Sequence, residues 1–206
     1  MEAFSFDNPL VRHYSVFDGL AGMHVEDILQ DSRGFLWVAT ADGGVSRFDG
    51  VHFDNFTQSD GLPHPTVMGI AETMDGTLWF ATLGGGVAKL RGREFSVVSE
   101  KDGLPSNDVL GVTSEADGSV WILTENGVSQ IDNDGRVDTH THVGGEPLGF
   151  VYDALRDSMG TMWLATMNHG VVSLDGLRPT VEGKEWETHF AWKFARAREG
   201  IFWVAF

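Results

Sequence analysis

The sequence predicts an all-β fold: a β-propeller of four-stranded antiparallel blades, about 42 residues each, with about four and a half blades present in 206 residues. The period comes from five tryptophans, Trp37, Trp79, Trp121, Trp163 and Trp203, spaced 42, 42, 42 and 40 residues apart in GFLWVAT, GTLWFAT, GSVWILT, GTMWLAT and GIFWVAF. Val25, Val67, Val109 and Val151 keep the same register, as do Gly34, Gly76, Gly118 and Gly160, and Thr40, Thr82, Thr124 and Thr166. The strand content comes from short apolar runs, rich in β-branched and aromatic residues, that end at Gly or Asp. No stretch of the first four repeats carries a capped 3.6-residue period.

Along the chain, residues 10–17 come first. Val11 and Tyr14 fall in register with Phe53 and Phe56, so this segment reads as an orphan outermost strand for ring closure, its own first three strands expected beyond Phe206. Blade one is expected over 25–57, blade two over 67–99, blade three over 109–142 and blade four over 151–190. Blade two parses most cleanly, into VMGIAET, TLWFAT, GVAKL and EFSVVS. The turns between them contain MDG, LGG and RG. Blade five is expected over 191–206, cut within its second strand, and AWKFARAR at Ala191–Arg198 makes a poor strand. Before each repeat stands a second phrase, DGLAG, DGLPH, DGLPS and a degraded GGEPL. Blade three has lost one residue after Thr124, and Arg178–Trp186 is longer and more charged than its counterparts.

A blade buries little alone, and its neighbours cover its two faces. Trp37, Trp79, Trp121, Trp163 and Trp203 are therefore assigned to structure, as packing bulk between blades, and the recurring glycines to turns.

Composition narrows the function. The net charge of −16 repels phosphate backbones and anionic membrane surfaces, so neither nucleic acid nor membrane contact is expected of this segment. There is no cysteine, which removes disulfides, thiolate metal sites and Cys nucleophiles. No apolar run has membrane-spanning length, and the start, MEAFSFDNPL, has neither a basic nor an apolar signal region, so no export signal is expected in this sequence.

The phrases DSRGFLWVATADGGVSRFDG and DGLPHPTVMGIAETMDGTLWFATLGGGVAKL resemble the two-component regulator propeller repeat family, over nearly the whole chain. The resemblance implies a seven-bladed propeller, often one of a tandem pair, in the extracytoplasmic sensor portion of a bacterial receptor. It implies a periplasmic location and, as partners, the remaining blades and a downstream output module such as a histidine kinase or diguanylate cyclase. A small-molecule or oligosaccharide ligand and homodimerisation of the full-length receptor are implied with them.

In a propeller, the connections between blades and the turns between second and third strands converge on one face around the channel. That places His24, Asp42, His64, Asn107, Asp108, Glu125, Asn126, Asn168 and His169 at one mouth. These polar residues vary from blade to blade on a constant framework, so they are the expected ligand-binding set.

Other motifs are weaker. His140 and His142 in THTH fall on one face of a strand at a spacing metals use, with no third ligand nearby. IDNDGRVD resembles a calcium loop but has Gln130 and Thr141 at the first and last ligand positions, and reads as a hairpin turn. Gly84–Gly86 precedes no helix and reads as a strand-to-strand turn, not a phosphate cradle. No nucleophile elbow or other local catalytic signature is present.

The expected function is thus a non-catalytic ligand-binding module, with no catalytic residue, cofactor or metal assigned. One alternative is an enzyme. The repeat also resembles that of streptogramin lyase-like propellers, which use a histidine base and a divalent metal; here only His64, His169 and Glu125 would supply such a site. The other alternative is a protein-interaction platform.

Overall fold

The computed structural model describes residues 12–174, 180–181, 184–185, 190–196 and 202–205. Three blades are complete four-stranded meanders. Blade I is β1 (Val25–Gln30), β2 (Leu36–Thr40), β3 (Gly44–Phe48) and β4 (Phe53–Phe56). Blade II is β5 (Val67–Glu72), β6 (Leu78–Thr82), β7 (Gly86–Arg91) and β8 (Glu94–Val98). Blade III is β9 (Val109–Ser114), β10 (Val120–Thr124), β11 (Gly127–Ile131) and β12 (Val137–His140). All three have sequential antiparallel order. After a short hairpin, β13 (His142–Val143) and β14 (Glu146–Pro147), come β15 (Val151–Arg156), β16 (Met162–Thr166) and β17 (Gly170–Ser173) of blade IV. A two-rung ladder follows, β18 (Thr180–Val181) with β19 (Lys184–Glu185), and then β20 (Lys193–Arg196) with β21 (Phe202–Ala205). The chain is a partial propeller.

The repeat's constant residues have specific physical tasks. Each second strand ends in a buried threonine whose hydroxyl donates across the following turn, Thr40 to the Gly44 carbonyl at 2.8 Å and Thr82 to Gly86 at 2.7 Å, with Thr124 and Thr166 doing the same. Gly86 has φ +79°, and a Cβ there would sit 2.4 Å from the Val98 carbonyl oxygen, so only glycine fits. The DGL phrase closes a single 3-10 turn. The Asp60 carboxylate accepts from the Thr57 backbone N–H and hydroxyl, Asp18 and Asp102 do so from Ser15 and Ser99, and Leu62 and Leu104 are buried behind the turn.

The core lies between blades. Trp37, Ala39 and Val45 of blade I pack on Val67, Ile70, Leu78, Phe80 and Leu90 of blade II. Trp79, Ala81 and Val87 pack on Val109, Val120 and Ile122 in the same way, and Trp121 and Leu123 on Val151, Met162 and Leu164. Trp37, Trp79 and Trp121 are buried; Trp163 is half-buried beside Phe194 and Val204, and Trp203 is exposed.

Several expectations need correction. Of the segment 10–17, residues 10 and 11 lie outside the described residues, residues 12–15 join no ladder, and Val16–Asp18 is the 3-10 turn. Tyr14 still packs on Phe48 and Phe53, at 5.0 and 5.6 Å between ring centres, much as Phe56 packs on Phe95 one repeat later. The segment therefore holds an outer strand's place without a strand to pair with among the described residues. His140 and His142 do not share a strand face. The Thr141 carbonyl accepts from Leu148 N–H and the chain peels away into the β13–β14 hairpin, whose turn residues Gly144 and Gly145 both have positive φ. The degraded GGEPL phrase is thus a hairpin, not a 3-10 turn. Within AWKFARAR, Lys193–Arg196 is a strand, because Phe194 is buried against blade IV and its N–H is held by the Asp153 carboxylate at 2.8 Å. Most of the stretch expected to hold blade four's outer strand, and the end of blade five, fall outside the described residues.

Candidate functional site

One face of the propeller gathers the β2–β3-type turns and the inter-blade connections, and backbone hydrogen bonds knit them together. The Gly84 and Gly86 N–H groups both donate to the Asn107 carbonyl, Gly44 N–H to Pro65, Leu83 N–H to Thr66 and Met167 N–H to Phe150. Each bond joins a turn to the connection beside it, so the mouth is built of pre-set loops.

The nine sequence-predicted residues all lie on these loops, in local groups. His24 Nδ1 stands 3.7 Å from the Asp42 carboxylate, and both are exposed. His64 and Asp108 flank Gly84: a Cβ there would meet the His64 ring at 3.6 Å and the Asp108 carboxylate at 3.9 Å. His64 Nδ1 accepts the Thr66 N–H at 3.2 Å. Glu125 accepts from the Ser106 hydroxyl at 3.2 Å, while Asn126 is exposed at the turn tip with its N–H on Thr124. Asn107 faces the other way, its side chain capping Glu100 N–H at 3.0 Å, and is thereby tied into the blade II connection. His169 Nε2 lies 2.8 Å from the Pro147 carbonyl, and Asn168 is exposed next to Gly149. Among the described residues no three His, Asp or Glu side chains come together as a metal cluster.

Two features of this face were not singled out in the sequence. The first is aromatic. Phe150, Tyr152, Phe190 and Trp192 stand at the mouth ends of the inner strands β15 and β20. Tyr152 stacks on Trp192 at 4.5 Å, Phe150 on Tyr152 at 6.2 Å, and Phe190 packs on Trp192 at 6.0 Å. Phe150 is 37% and Trp192 53% exposed, so the cluster presents ring faces to solvent. Phe150 occupies the repeat position of His24, Thr66 and Asp108, and that switch from polar to aromatic was its signal. The second is acidic. Asp27 and Asp153 on the inner strands each accept a backbone N–H from the next blade, Ile70 and Phe194, both at 2.8 Å. The same register holds Gly69 and Gly111 in blades II and III, and Lys193 reaches Asp153 at 3.6 Å. These groups line a channel cavity of about 180 Å³.

The family model described as "Two component regulator propeller" matches residues 19–42 and 61–84, each match running from the DGL phrase through the Trp strand into its turn. These two segments match the two component regulator propeller repeat. Among solved structures, this repeat chain is similar to a domain described as the extracellular part of a hybrid two component system, BT3049 of B. thetaiotaomicron. The identity is 19% and the TM-score 0.71, over 87% of this chain and 25% of that one. The extracellular domain of BT4673, from the same organism and described as part of a one component system, aligns at 20% identity and TM-score 0.67, over 89% of this chain and 28% of that one. Virginiamycin B lyase from Staphylococcus aureus aligns at 15% identity and TM-score 0.64, over 90% and 64%. The chain thus spans about a quarter of the two extracellular domains, and at these identities the structural likeness to all three shows the propeller fold alone. No curated protein matches it.

Proposed function

We propose that this propeller segment is a non-catalytic, ligand-sensing part of a bacterial signal-transduction receptor, that it works outside the cytoplasmic membrane, and that it relays occupancy of its mouth to a downstream output module. The observation that carries the reading is the aromatic cluster of Phe150, Tyr152, Phe190 and Trp192 on the mouth face, whose loops also carry His24, Asp42, His64, Asp108, Asn126, Asn168 and His169. Exposed ring faces next to hydrogen-bonding side chains suit a neutral oligosaccharide, whose C–H faces stack and whose hydroxyls donate and accept. The non-catalytic assignment rests on the histidines. His64 Nδ1 accepts the Thr66 N–H and His169 Nε2 lies 2.8 Å from the Pro147 carbonyl, so the two imidazoles are held by separate local bonds on different loops. The repeat family and the fold shared with extracellular sensor domains support the receptor setting.

The experiment is thermal denaturation of this chain with neutral oligosaccharides and, separately, with divalent cations, in wild type and in the double variant His64→Ala/His169→Ala. Sugar-dependent stabilisation that the double variant loses, with its unliganded Tm retained, is expected. Stabilisation by cations alone would favour a lyase-like centre and overturn the reading.

A further inference from the structure

The inner strands β1, β5, β9 and β15 each carry a bulge at the same place, and the residue it turns out lines the channel: Asp27, Gly69, Gly111 and Asp153, with Lys193 of β20 next in the row. Where the row holds aspartate, the carboxylate joins two blades. Asp27 accepts the N–H of Ile28 at 2.9 Å and that of Ile70 in the next blade at 2.8 Å, and Asp153 accepts those of Ala154 at 3.0 Å and Phe194 at 2.8 Å. Val112 has the register of Ile70 and Phe194, so its N–H faces the channel as theirs do. Neither Gly69 nor Gly111 can cap it, and among the described residues no side chain accepts from it. Space is not the reason. A Cβ on Gly69 would stand 3.5 Å from the Val112 nitrogen, 3.5 Å from the Gly111 Cα and 3.8 Å from the Ala81 Cβ, all ordinary contacts, and Gly69 has no positive φ. The paired glycines thus keep a slot open over a bare backbone donor.

The slot belongs to the cavity of about 180 Å³ whose wall includes Tyr152, and Tyr152 stacks on Trp192 at 4.5 Å, so the slot adjoins the aromatic cluster of the mouth. Its charge excludes anions. Glu26, Asp27 and Asp153 face the ammonium of Lys193 alone, and that ammonium stands 3.6 Å from Asp153. A cationic amine offers donors only and would meet the Val112 N–H donor to donor. A neutral hydroxyl answers both sides: its oxygen accepts from Val112, and its proton goes to a further lone pair of Asp27 or Asp153. A cavity of this size, against about 30 Å³ for a water in the liquid, admits the end of a chain and not its middle.

We propose that the slot between Gly69 and Gly111 receives the primary hydroxyl of a terminal hexose whose ring lies on the aromatic cluster at Tyr152 and Trp192. The hydroxymethyl arm carries its hydroxyl on a rotatable carbon outside the ring, so it reaches into the slot while the ring stays stacked. This specificity rests on the mouth's taking a neutral oligosaccharide.

The test is a calorimetric titration of wild type, Gly69→Asn and Gly69→Ala with cellotriose, maltotriose and mannotriose, beside xylotriose, whose residues lack the hydroxymethyl arm. At least one hexose trisaccharide is expected to bind wild type, and xylotriose about tenfold or more weakly. Gly69→Asn adds no charge, caps Val112 as Asp27 caps Ile70 and fills the slot; it should weaken the hexose ligand about tenfold or more, with an unliganded Tm no lower than wild type. Gly69→Ala narrows the slot without capping the N–H and should give a smaller loss. Xylotriose binding as strongly as the hexose ligand, or hexose binding untouched by both variants, would overturn the slot and leave the mouth reading standing. Binding of none of the four sugars up to about 10 mM would overturn both.

Discussion

The indole nitrogen of Trp37 donates to the carboxylate of Asp31 at 3.0 Å, and the same bond joins Trp163 to Asp157 at 2.9 Å three repeats later. In each case the carboxylate also accepts backbone N–H groups of its own turn, Arg33 and Phe35 for Asp31, Met159 and Thr161 for Asp157. One aspartate thus closes the turn between the first two strands and orients the tryptophan that covers the next blade. Blades II and III have Thr73 and Glu115 at this place, and there the indole is left unpartnered.

Acid should therefore weaken the fold through these aspartates. Burial pushes the Asp31 carboxyl up, but the bonds from Trp37, Phe35 and Arg33 outweigh it and hold it below its ordinary value; the Trp163 bond does most to lower Asp157. A carboxyl lowered on folding contributes stability that is fully present above its unfolded pKa, about 4, and is lost as pH falls through the folded value. Asp31→Asn should be less stable than wild type at pH 7 and show a flatter acid limb below about pH 4 in urea unfolding followed by fluorescence. An acid limb as steep as wild type would contradict this.

Tryptophans in equal sequence contexts should differ sharply in worth. Trp79 is 5% exposed between blades II and III, and its truncation to alanine should cost about 3 to 5 kcal/mol. Trp203 is 70% exposed, and Trp203→Ala should leave the unfolding midpoint within experimental error. Equal losses in the two variants would mean that the blade faces are not what the tryptophans stabilise.

Much of this fold was legible because every blade solves the same packing problem. Trp, Thr and Gly recur where indole burial, a hydroxyl bond across a turn and a positive φ recur. Strand order and the turn roles of Gly84–Gly86 and of the IDNDGRVD segment could be read the same way. What escaped depends on contacts distant in sequence. AWKFARAR is a poor local strand that becomes one because Asp153 and a buried face receive it. THTH looks continuous, but the carbonyl of Thr141 is taken by Leu148, and the chain turns off between the histidines. The loop positions of the nine expected mouth residues followed from topology alone. The aromatic cluster was missed because Tyr152 and Trp192 meet only when two blades stack.

Glycine substitutions should separate conformation from space. Gly86 and Gly92 both have positive φ, so alanine at either strains the backbone by about 1 to 2 kcal/mol. Only at Gly86 would the new Cβ also strike a backbone carbonyl, whereas Gly92 faces open space. Gly86→Ala should be clearly less stable than Gly92→Ala by chemical denaturation, and the reverse order would refute the assigned turn geometry.

The central claim, that the mouth with its aromatic cluster takes a neutral oligosaccharide, is tested most directly by titrating wild type and Trp192→Ala with a panel of such sugars while recording binding heat and Tm. Saturable binding of at least one sugar to wild type is expected, with at least a tenfold loss in Trp192→Ala and its unliganded Tm unchanged. Binding of equal strength to both proteins, or to neither, would contradict it.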